Sequence, residues 1–202
     1  MNSENTEHKK LPWPIIIMLG MLALVIGLGL ILSPKSEADK LWWINLLGTT
    51  NNGTLLNPPV QIASEDLTIG GVSWAAFDTE VFKLVVISEG VCDQSCQDML
   101  HSTRQVHVRL NRDYEDVERG FLLIGSTVDQ AESIVSELPG YSVLDPAIGA
   151  LLERLSDTNI PALSDGPVLV MIDSENRAMM AYTEEHSGAE ILEDIEHLLE
   201  LR

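Results

Sequence analysis

Apolar segments of strand-like and helix-like character alternate along the second half of the chain and predict a mixed α/β domain. Phe82 to Ser88 contains a continuous apolar run, as expected of a strand covered on both faces. Ser187 to Leu201 has apolar positions at helical spacing, which predicts an amphipathic helix. The other predicted elements are helices at Cys92–Asn111, Asp129–Glu137 and Leu144–Leu155 and strands at Glu118–Gly125, Pro167–Asp173 and Arg177–Tyr182.

The order of these elements is β-α-β-α-β-β-α. Strands separated by helices predict parallel pairing, and the last two strands predict an antiparallel hairpin. This is the arrangement of thioredoxin, and the first helix of the set begins at the two cysteines. We therefore predict a thioredoxin-like α/β domain over residues 67–202, and Leu67 to Ala76 is expected to form a hairpin with Gly70-Gly71 as its turn.

A long uncharged segment near the N-terminus predicts one transmembrane helix over residues 15–33. Ile15 to Leu32 contains nothing more polar than glycine, and at about 1.5 Å per residue it approaches a hydrocarbon core of about 30 Å. A cleavable signal peptide is the alternative, but Ile31 to Lys35 is a poor cleavage site. We expect an uncleaved, single-pass anchor in the inner membrane, with residues 1–14 as a cytoplasmic tail and the C-terminal domain in the periplasm.

Residues 34–66 are predicted to be a juxtamembrane linker that packs on the domain. Within them, Asn45 to Asp66 looks irregular because Gly, Asn and Pro interrupt every period. Its apolar residues need cover, which favours packing over a free tether. These residues are Leu55, Leu56, Val60 and Ile62.

The two cysteines carry the candidate chemistry. Cys92 and Cys96 are four residues apart and lie where the first helix of the domain is predicted to begin. The unpaired N–H groups and the dipole of a helix N-terminus favour thiolate over thiol. This arrangement suits disulfide exchange or binding of a thiophilic metal such as Cu(I). A structural disulfide, or two inert buried thiols, is the alternative.

The charge of the chain limits its partners. It has 31 acidic and 12 basic residues and a formal net charge of -19. Nucleic acid is not expected as a partner, because phosphate binding needs a basic face. A basic protein partner agrees better with this charge.

Several short motifs, taken in order, resemble the SCO/SenC group of thioredoxin-like proteins, and most closely a branch of small proteobacterial membrane proteins. The Cys92-Asp93-Gln94-Ser95-Cys96 pair matches the C-x-x-x-C that opens the first helix in that group. The remaining motifs are Trp42-Trp43, Asn52-Gly53-Thr54-Leu55-Leu56, Pro58-Pro59, Arg104-Gln105-Val106 and Val117-Glu118-Arg119. The resemblance implies a role in cytochrome c oxidase assembly, with an oxidase subunit or its assembly factors as the partner and Cu(I) as a possible ligand of Cys92 and Cys96.

The chain departs from the copper-binding members of that group at one position. Those members complete a Cys-Cys-His site with a histidine ahead of the third strand, where this chain has Asp165. A carboxylate is a hard ligand and a poor partner for Cu(I). Pro167 instead matches the cis-proline that thioredoxins place against their cysteine pair. His101 and His107 are interpreted as surface or partly buried residues, and His186 and His197 belong to the C-terminal hairpin and helix.

Two hypotheses follow. In the first, Cys92 attacks or binds, Cys96 resolves or co-ligates, Pro167 lies against the pair, and the protein assists the copper site of the oxidase by thiol–disulfide exchange or Cu(I) handling. In the second, the domain is a non-catalytic scaffold beside the oxidase, and the cysteines form a static bridge.

Overall fold

The structure is a computed structural model that describes residues 13–32, 51–74, 81–145 and 149–200. The chain divides into two compact units, Met1–Thr50 and Asn51–Arg202. The predicted cytoplasmic tail up to residue 12, the linker between residues 33 and 50 with Trp42-Trp43, and the end of the predicted hairpin at Ala75-Ala76 lie outside the described residues.

In the described part of the N-terminal unit, residues 13–32, the chain forms a helix, α1, at Trp13–Leu32, and this helix covers the stretch from Ile15 to Leu32 for which a transmembrane helix is predicted. Its described apolar side chains lie open, with Met18 67% and Met21 68% exposed. Within the part of the chain that the structure describes, no helix qualifies by length and hydropathy as a candidate for crossing a membrane.

The second unit is built on a six-stranded sheet with the order β1-β8-β7-β4-β5-β6 and a separate hairpin, β2-β3. The strands are β1 Thr54–Gln61, β2 Thr68–Ile69, β3 Val72–Ser73, β4 Phe82–Glu89, β5 Val117–Ile124, β6 Tyr141–Val143, β7 Val168–Ile172 and β8 Arg177–Tyr182. The helices are α2 Gln94–Arg109, α3 Val128–Val135, α4 Gly149–Ser156 and α5 Gly188–Glu200, with 3₁₀ helices at Asn111–Asp116 and Leu163–Asp165.

The thioredoxin-like α/β fold predicted from the sequence is confirmed, with one change of strand direction. β4 and β5 are parallel, and β7 and β8 form the expected antiparallel hairpin. However, β7 pairs with β4 in the antiparallel direction, although helices separate them in sequence. Val168 pairs with Ile87, because the connection through α4 brings the chain back to the carboxyl end of β4 and not to its start. The residues just before β7 therefore meet the turn that follows β4.

Each face of the sheet is covered by its own apolar layer. Leu84 and Val86 of β4 face a core formed with α2, α3 and α5, which also contains both cysteines. Val85 and Ile87, on the opposite face, pack with α4, β1 and the hairpin. The continuous apolar run in β4 thus reflects burial on both sides, as predicted. Trp74 is 3% exposed and belongs to the second core.

The segment interpreted as irregular, residues 45–66, contains an edge strand. β1 pairs antiparallel with β8, and its register shifts between Leu55 and Val60. The prolines of β1, Pro58 and Pro59, lie in this interval, and proline is tolerated at a sheet edge where a donor is not needed. Leu56, Val60 and Ile62 are buried as expected, whereas Leu55 remains 41% exposed. The strand was not predicted because the bulge and the prolines interrupt the alternation of apolar and polar residues that is typical of a strand.

A buried carboxylate fastens the start of β1 to the last helix. Asp194 of α5 accepts hydrogen bonds from the backbone N–H groups of Asn52 (2.9 Å) and Gly53 (2.8 Å) and from the hydroxyl of Tyr182 (3.0 Å). Gly53 lies so close to Tyr182 that a Cβ there would stand 2.4 Å from the ring. The N-terminal edge of the sheet is therefore held by contacts far apart in sequence.

Candidate functional site

The site begins with the turn that joins β4 to α2. Gly90 follows β4 with φ of 77°, a conformation that favours glycine, and its N–H donates to the carbonyl of Ile124. Asp93 is the N-cap of α2, and its carboxylate accepts hydrogen bonds from Cys96 N–H (3.1 Å) and Ser95 Oγ (2.8 Å). The helix starts at Gln94 and not at Cys92. Cys92 thus precedes the cap, and Cys96 lies in the first turn.

Cys92 and Cys96 are joined as a disulfide, with their Cα atoms 5.2 Å apart. Cys96 is fully buried, while Cys92 retains 8% exposure. Both side chains belong to the core between the sheet and α2. The predicted position of the pair at the start of the first helix after β4 is therefore occupied by a bridge whose N-terminal cysteine is the more exposed of the two.

A cavity of about 310 Å³ lies beside this bridge. One wall is formed by Val91, Asp93 and Ser95, which flank the cysteines in sequence. The other wall comes from the segment that enters β7, including Asp165, Gly166 and Pro167, and from Glu184 after β8. The structure therefore brings Pro167 and Asp165 to the same cavity as the cysteine turn.

A second cavity of about 660 Å³ continues from the first. The two share the residues from Asp165 to Pro167 and Glu184. The second cavity extends toward Thr54, Glu185 and His186. We call the two together the disulfide groove.

The peptide bond before Pro167 corrects one expectation. Among the described residues the cis peptide bond is Asn57–Pro58, and Gly166–Pro167 is trans. Gly166 takes φ of 149° and ψ of -177°, a conformation that is open to glycine and rare for other residues. The glycine provides the change of direction into β7, so the buried Pro167 lines the groove without the cis conformation that the resemblance implied.

The histidines that the structure describes do not supply a third ligand to the cysteines. His186 lines the groove, but its Nδ1 accepts a hydrogen bond of 3.0 Å from the N–H of Thr183. His101 and His197 are exposed. No group of three His, Cys, Asp or Glu residues suited to a metal ion occurs among the described residues. With Asp165 at the expected histidine position, the residues present do not fit a Cys-Cys-His copper site.

His107 has a structural role in the core of the domain. It is 4% exposed, and its Nε2 lies 2.6 Å from the carbonyl of Val117 and 2.9 Å from that of Tyr114. Since carbonyls only accept, Nε2 carries the proton, and Nδ1 is left buried without a hydrogen-bond partner. Burial, and secondarily the positive charge of Arg119, lower the pKa of His107. His107 is thus buried, and the expectation of a surface or partly buried position is wrong.

The groove is acidic. Glu89, Asp93, Asp165 and Glu184 come from four separate parts of the fold and line the cavity beside the bridge. The hydrogen bonds from Cys96 N–H, and next from Ser95, lower the pKa of Asp93. The sequence analysis did not place Asp93 or Glu184 at the site. Asp93 could have been found, because an Asp that precedes a helical segment is a common N-cap, whereas Glu184 lies near the cysteine turn only because β7 pairs antiparallel with β4.

Comparison with known structures finds the same fold in Sco proteins. The apo Sco protein of Thermus thermophilus matches with a TM-score of 0.56 and 14% identity over 75% of this chain and 98% of its own. The copper-bound ScoI of Arabidopsis thaliana matches with a TM-score of 0.53 and 14% identity over 76% and 100%. BsSco, of the Sco family of cytochrome c oxidase assembly proteins, matches with a TM-score of 0.50 and 12% identity over 75% and 98%. At these identities the matches show the fold, and at that level they confirm the resemblance to the SCO/SenC group.

Comparison of the sequence with curated proteins found no relative. Comparison with protein families gave a match over residues 82–202, which contain the cysteine pair, the helices α2 to α5 and the lining residues of the groove other than Thr54. That family is described as the transmembrane-like, thioredoxin-like C-terminal domain. The match covers more than half of the chain, and the chain therefore belongs to this family of transmembrane-like, thioredoxin-like proteins.

Proposed function

We propose that this protein is a membrane-anchored periplasmic thioredoxin-like protein that assists cytochrome c oxidase assembly by thiol–disulfide exchange through Cys92 and Cys96. The observation that carries the proposal is the Cys92–Cys96 bridge at the start of α2, whose neighbours in sequence, Val91, Asp93 and Ser95, line the disulfide groove.

The chemistry assigns different roles to the two sulfurs. Disulfide exchange proceeds by attack of a thiolate on one sulfur of a disulfide, through a mixed disulfide. Cys92, which is 8% exposed, is the less buried of the two cysteines and forms the mixed disulfide, while the fully buried Cys96 is released as the leaving thiolate or acts as the resolving thiol. Pro167, opposite the cysteine turn, is proposed to lie against the bound partner segment.

The oxidase as the target is supported by two independent likenesses. BsSco, which shares the fold, belongs to a family of cytochrome c oxidase assembly proteins and has a disulfide switch. The sequence motifs around the cysteines and in β1 resemble the same group. We therefore propose a copper-ligand cysteine pair of an oxidase subunit, or an assembly factor of the oxidase, as the exchange partner.

Copper handling has less support than disulfide exchange. Cu(I) prefers thiolate ligands, and reduction of the bridge would make two of them available. The described residues contain no metal-binding group of three ligands, and Asp165 lines the groove at the position where the copper-binding members carry histidine. We therefore base no step of the mechanism on copper.

Anchoring through α1 in the inner membrane, with the domain in the periplasm, is supported by the uncharged sequence from Ile15 to Leu32 and by the exposed apolar side chains of α1. This location can be tested with a reporter phosphatase that is active only outside the cytoplasm. When the phosphatase is fused to the C-terminus of the full chain, we expect it to be active, and removal of residues 1–33 should abolish the phosphatase activity. An inactive fusion would contradict the periplasmic location.

Trapping tests the exchange itself. Cys96→Ser leaves Cys92 able to form a mixed disulfide that no second sulfur resolves. When the full chain is expressed with its respiratory membranes, a reducible adduct with an oxidase subunit or assembly factor is expected. The double variant Cys92→Ser, Cys96→Ser is the matched control and should give no adduct. Absence of any adduct from Cys96→Ser would contradict the proposal.

The burial of the bridge favours a second candidate function, a scaffold with a structural disulfide. Cys96 is inaccessible and Cys92 nearly so, and both pack in the core. This candidate predicts that the double variant still supports normal oxidase activity in cells that lack the native chain. A loss of oxidase copper or activity in the double variant, with the protein still present at its usual level, would exclude it.

A further inference from the structure

The walls of the disulfide groove carry negative charge without a compensating lysine or arginine. The described residues that line its two cavities include five carboxylates. These are Glu89, Asp93, Asp165, Glu184 and Glu185. None of the lining residues is Lys or Arg, and His186 is the one side chain among them that can become a cation.

Asp165 and Glu184 hold the central position in this groove. Both line both cavities, so any chain that passes from the bridge toward His186 passes them. Glu184 packs against the backbone before Pro167, since a Cβ on Gly166 would stand 2.9 Å from its Oε1. Both carboxylates are exposed, and within the described residues neither forms an ion pair with a cation.

We propose that the disulfide groove selects a partner whose reactive sulfur is flanked by positive charge, and that Asp165 and Glu184 are the residues that determine this specificity. The inference rests on the proposed exchange function and names its substrate class: a cysteine or disulfide in a segment with Lys or Arg beside it. It concerns which partner reacts, whereas the proposed function concerns whether the bridge reacts at all.

The chemistry of the step explains the selection. The partner thiolate attacks Sγ of Cys92, a partner–Cys92 bond forms, the Cys92–Cys96 bond breaks, and the electron pair leaves on Cys96, which takes a proton from water. The attacking thiolate therefore brings a negative charge toward the carboxylates. A cation next to the attacking sulfur cancels this repulsion, while a second anion doubles it.

Small thiols that differ in charge test the inference on the oxidised full chain in neutral detergent. The probes are cysteamine, which carries an ammonium group, neutral 2-mercaptoethanol, and anionic 2-mercaptoethanesulfonate. The rate of loss of the bridge is followed by alkylation and mass measurement and is divided by the thiolate concentration of each probe. At low salt, cysteamine is expected to react about tenfold faster per thiolate than the sulfonate, and in about 1 M salt the difference should largely vanish.

Two matched double variants assign the effect to the groove. Asp165→Asn with Glu184→Gln should remove most of the preference for cysteamine, because the rate per thiolate rises most for the sulfonate, less for 2-mercaptoethanol and least for cysteamine. Glu132→Gln with Glu196→Gln removes the same charge from exposed positions on α3 and α5 that do not line the groove, and should keep the preference.

Two results would overturn the inference alone: equal rates per thiolate for the three probes with the unaltered chain, or an equal loss of preference in both double variants. If none of the probes reduced the bridge in the folded protein, the exchange function itself would fail and the inference with it. The two failures are thus distinguishable.

Discussion

The carboxylate of Asp93 accepts a hydrogen bond of 3.1 Å from the backbone N–H of Cys96. This hydrogen bond ties the start of α2 to the turn that holds the disulfide, because Asp93 directly follows Cys92 and the donor N–H belongs to Cys96. The capped turn keeps Cys92 beside the groove while Cys96 points into the core.

Replacement of Asp93 tests this role of the cap. Asp93→Ala removes the acceptor for Cys96 N–H and should lower the free energy of unfolding, whereas Asp93→Asn keeps an N-cap acceptor and should change it little. Urea unfolding of both variants with the bridge intact measures the difference. Equal destabilisation by Ala and Asn would show that the charge, and not the hydrogen bond, is what matters.

The hydrogen bonds that Asp194 accepts from the turn before β1 and from Tyr182 should contribute most of the stability of that edge of the sheet. Asp194→Ala leaves the part-buried N–H of Asn52, the buried N–H of Gly53 and the buried hydroxyl of Tyr182 without their acceptor. A loss of about 3 kcal/mol or more is expected, since each buried group left unsatisfied costs about 1–3 kcal/mol.

The exposed neighbour Glu196 on the same helix provides the control. Glu196→Ala should change the free energy of unfolding by less than about 0.5 kcal/mol, as is usual for surface positions. Equal effects of the two substitutions on the free energy of unfolding in urea would contradict a stabilising role of the Asp194 hydrogen bonds.

His107 should make the domain less stable in mild acid. Its folded pKa lies below the ordinary value of 6.5, so the folded protein resists protonation while the unfolded chain accepts it. The contribution of neutral His107 to the free energy of unfolding is fully present above the unfolded pKa of His, near 6.5. It is lost as the pH falls through that value toward the folded pKa. Between pH 7.5 and pH 5, the free energy of unfolding measured in urea should therefore fall less for His107→Gln than for the unaltered chain. An identical decline would show that His107 is not the responsible group.

The sequence predicted the centre of the domain better than its edges. β4 and the helix after it were recognisable because Leu84 to Ile87 form an unbroken apolar run and because apolar residues, among them Leu100 and Val106, recur along α2, and the structure buries all of these residues. The start of α3 has a local signal of the same kind, since the hydroxyl of Thr127 accepts a hydrogen bond from Gln130 N–H. Local signals were sufficient where burial follows a regular period.

Features that depend on contacts distant in sequence were missed. β6 has three residues of intermediate exposure and no pattern of its own, and it exists because it pairs with β5. β1 is obscured by Pro58 and Pro59 and is held by β8. The same applies to the site: the cysteines were predicted from their spacing, whereas Glu184 lies near the cysteine turn because β7 pairs antiparallel with β4, which no local signal reveals.

The reduction potential of the Cys92–Cys96 bridge tests the central claim most directly. The oxidised full chain in detergent is equilibrated with glutathione or dithiothreitol buffers of known ratio, and the fraction of free thiol is measured while circular dichroism confirms that the fold is intact. A bridge that exchanges with partners should have a potential above about -300 mV. A potential below that range, or reduction that occurs only when the domain unfolds, would contradict exchange and leave a static bridge in an anchored scaffold.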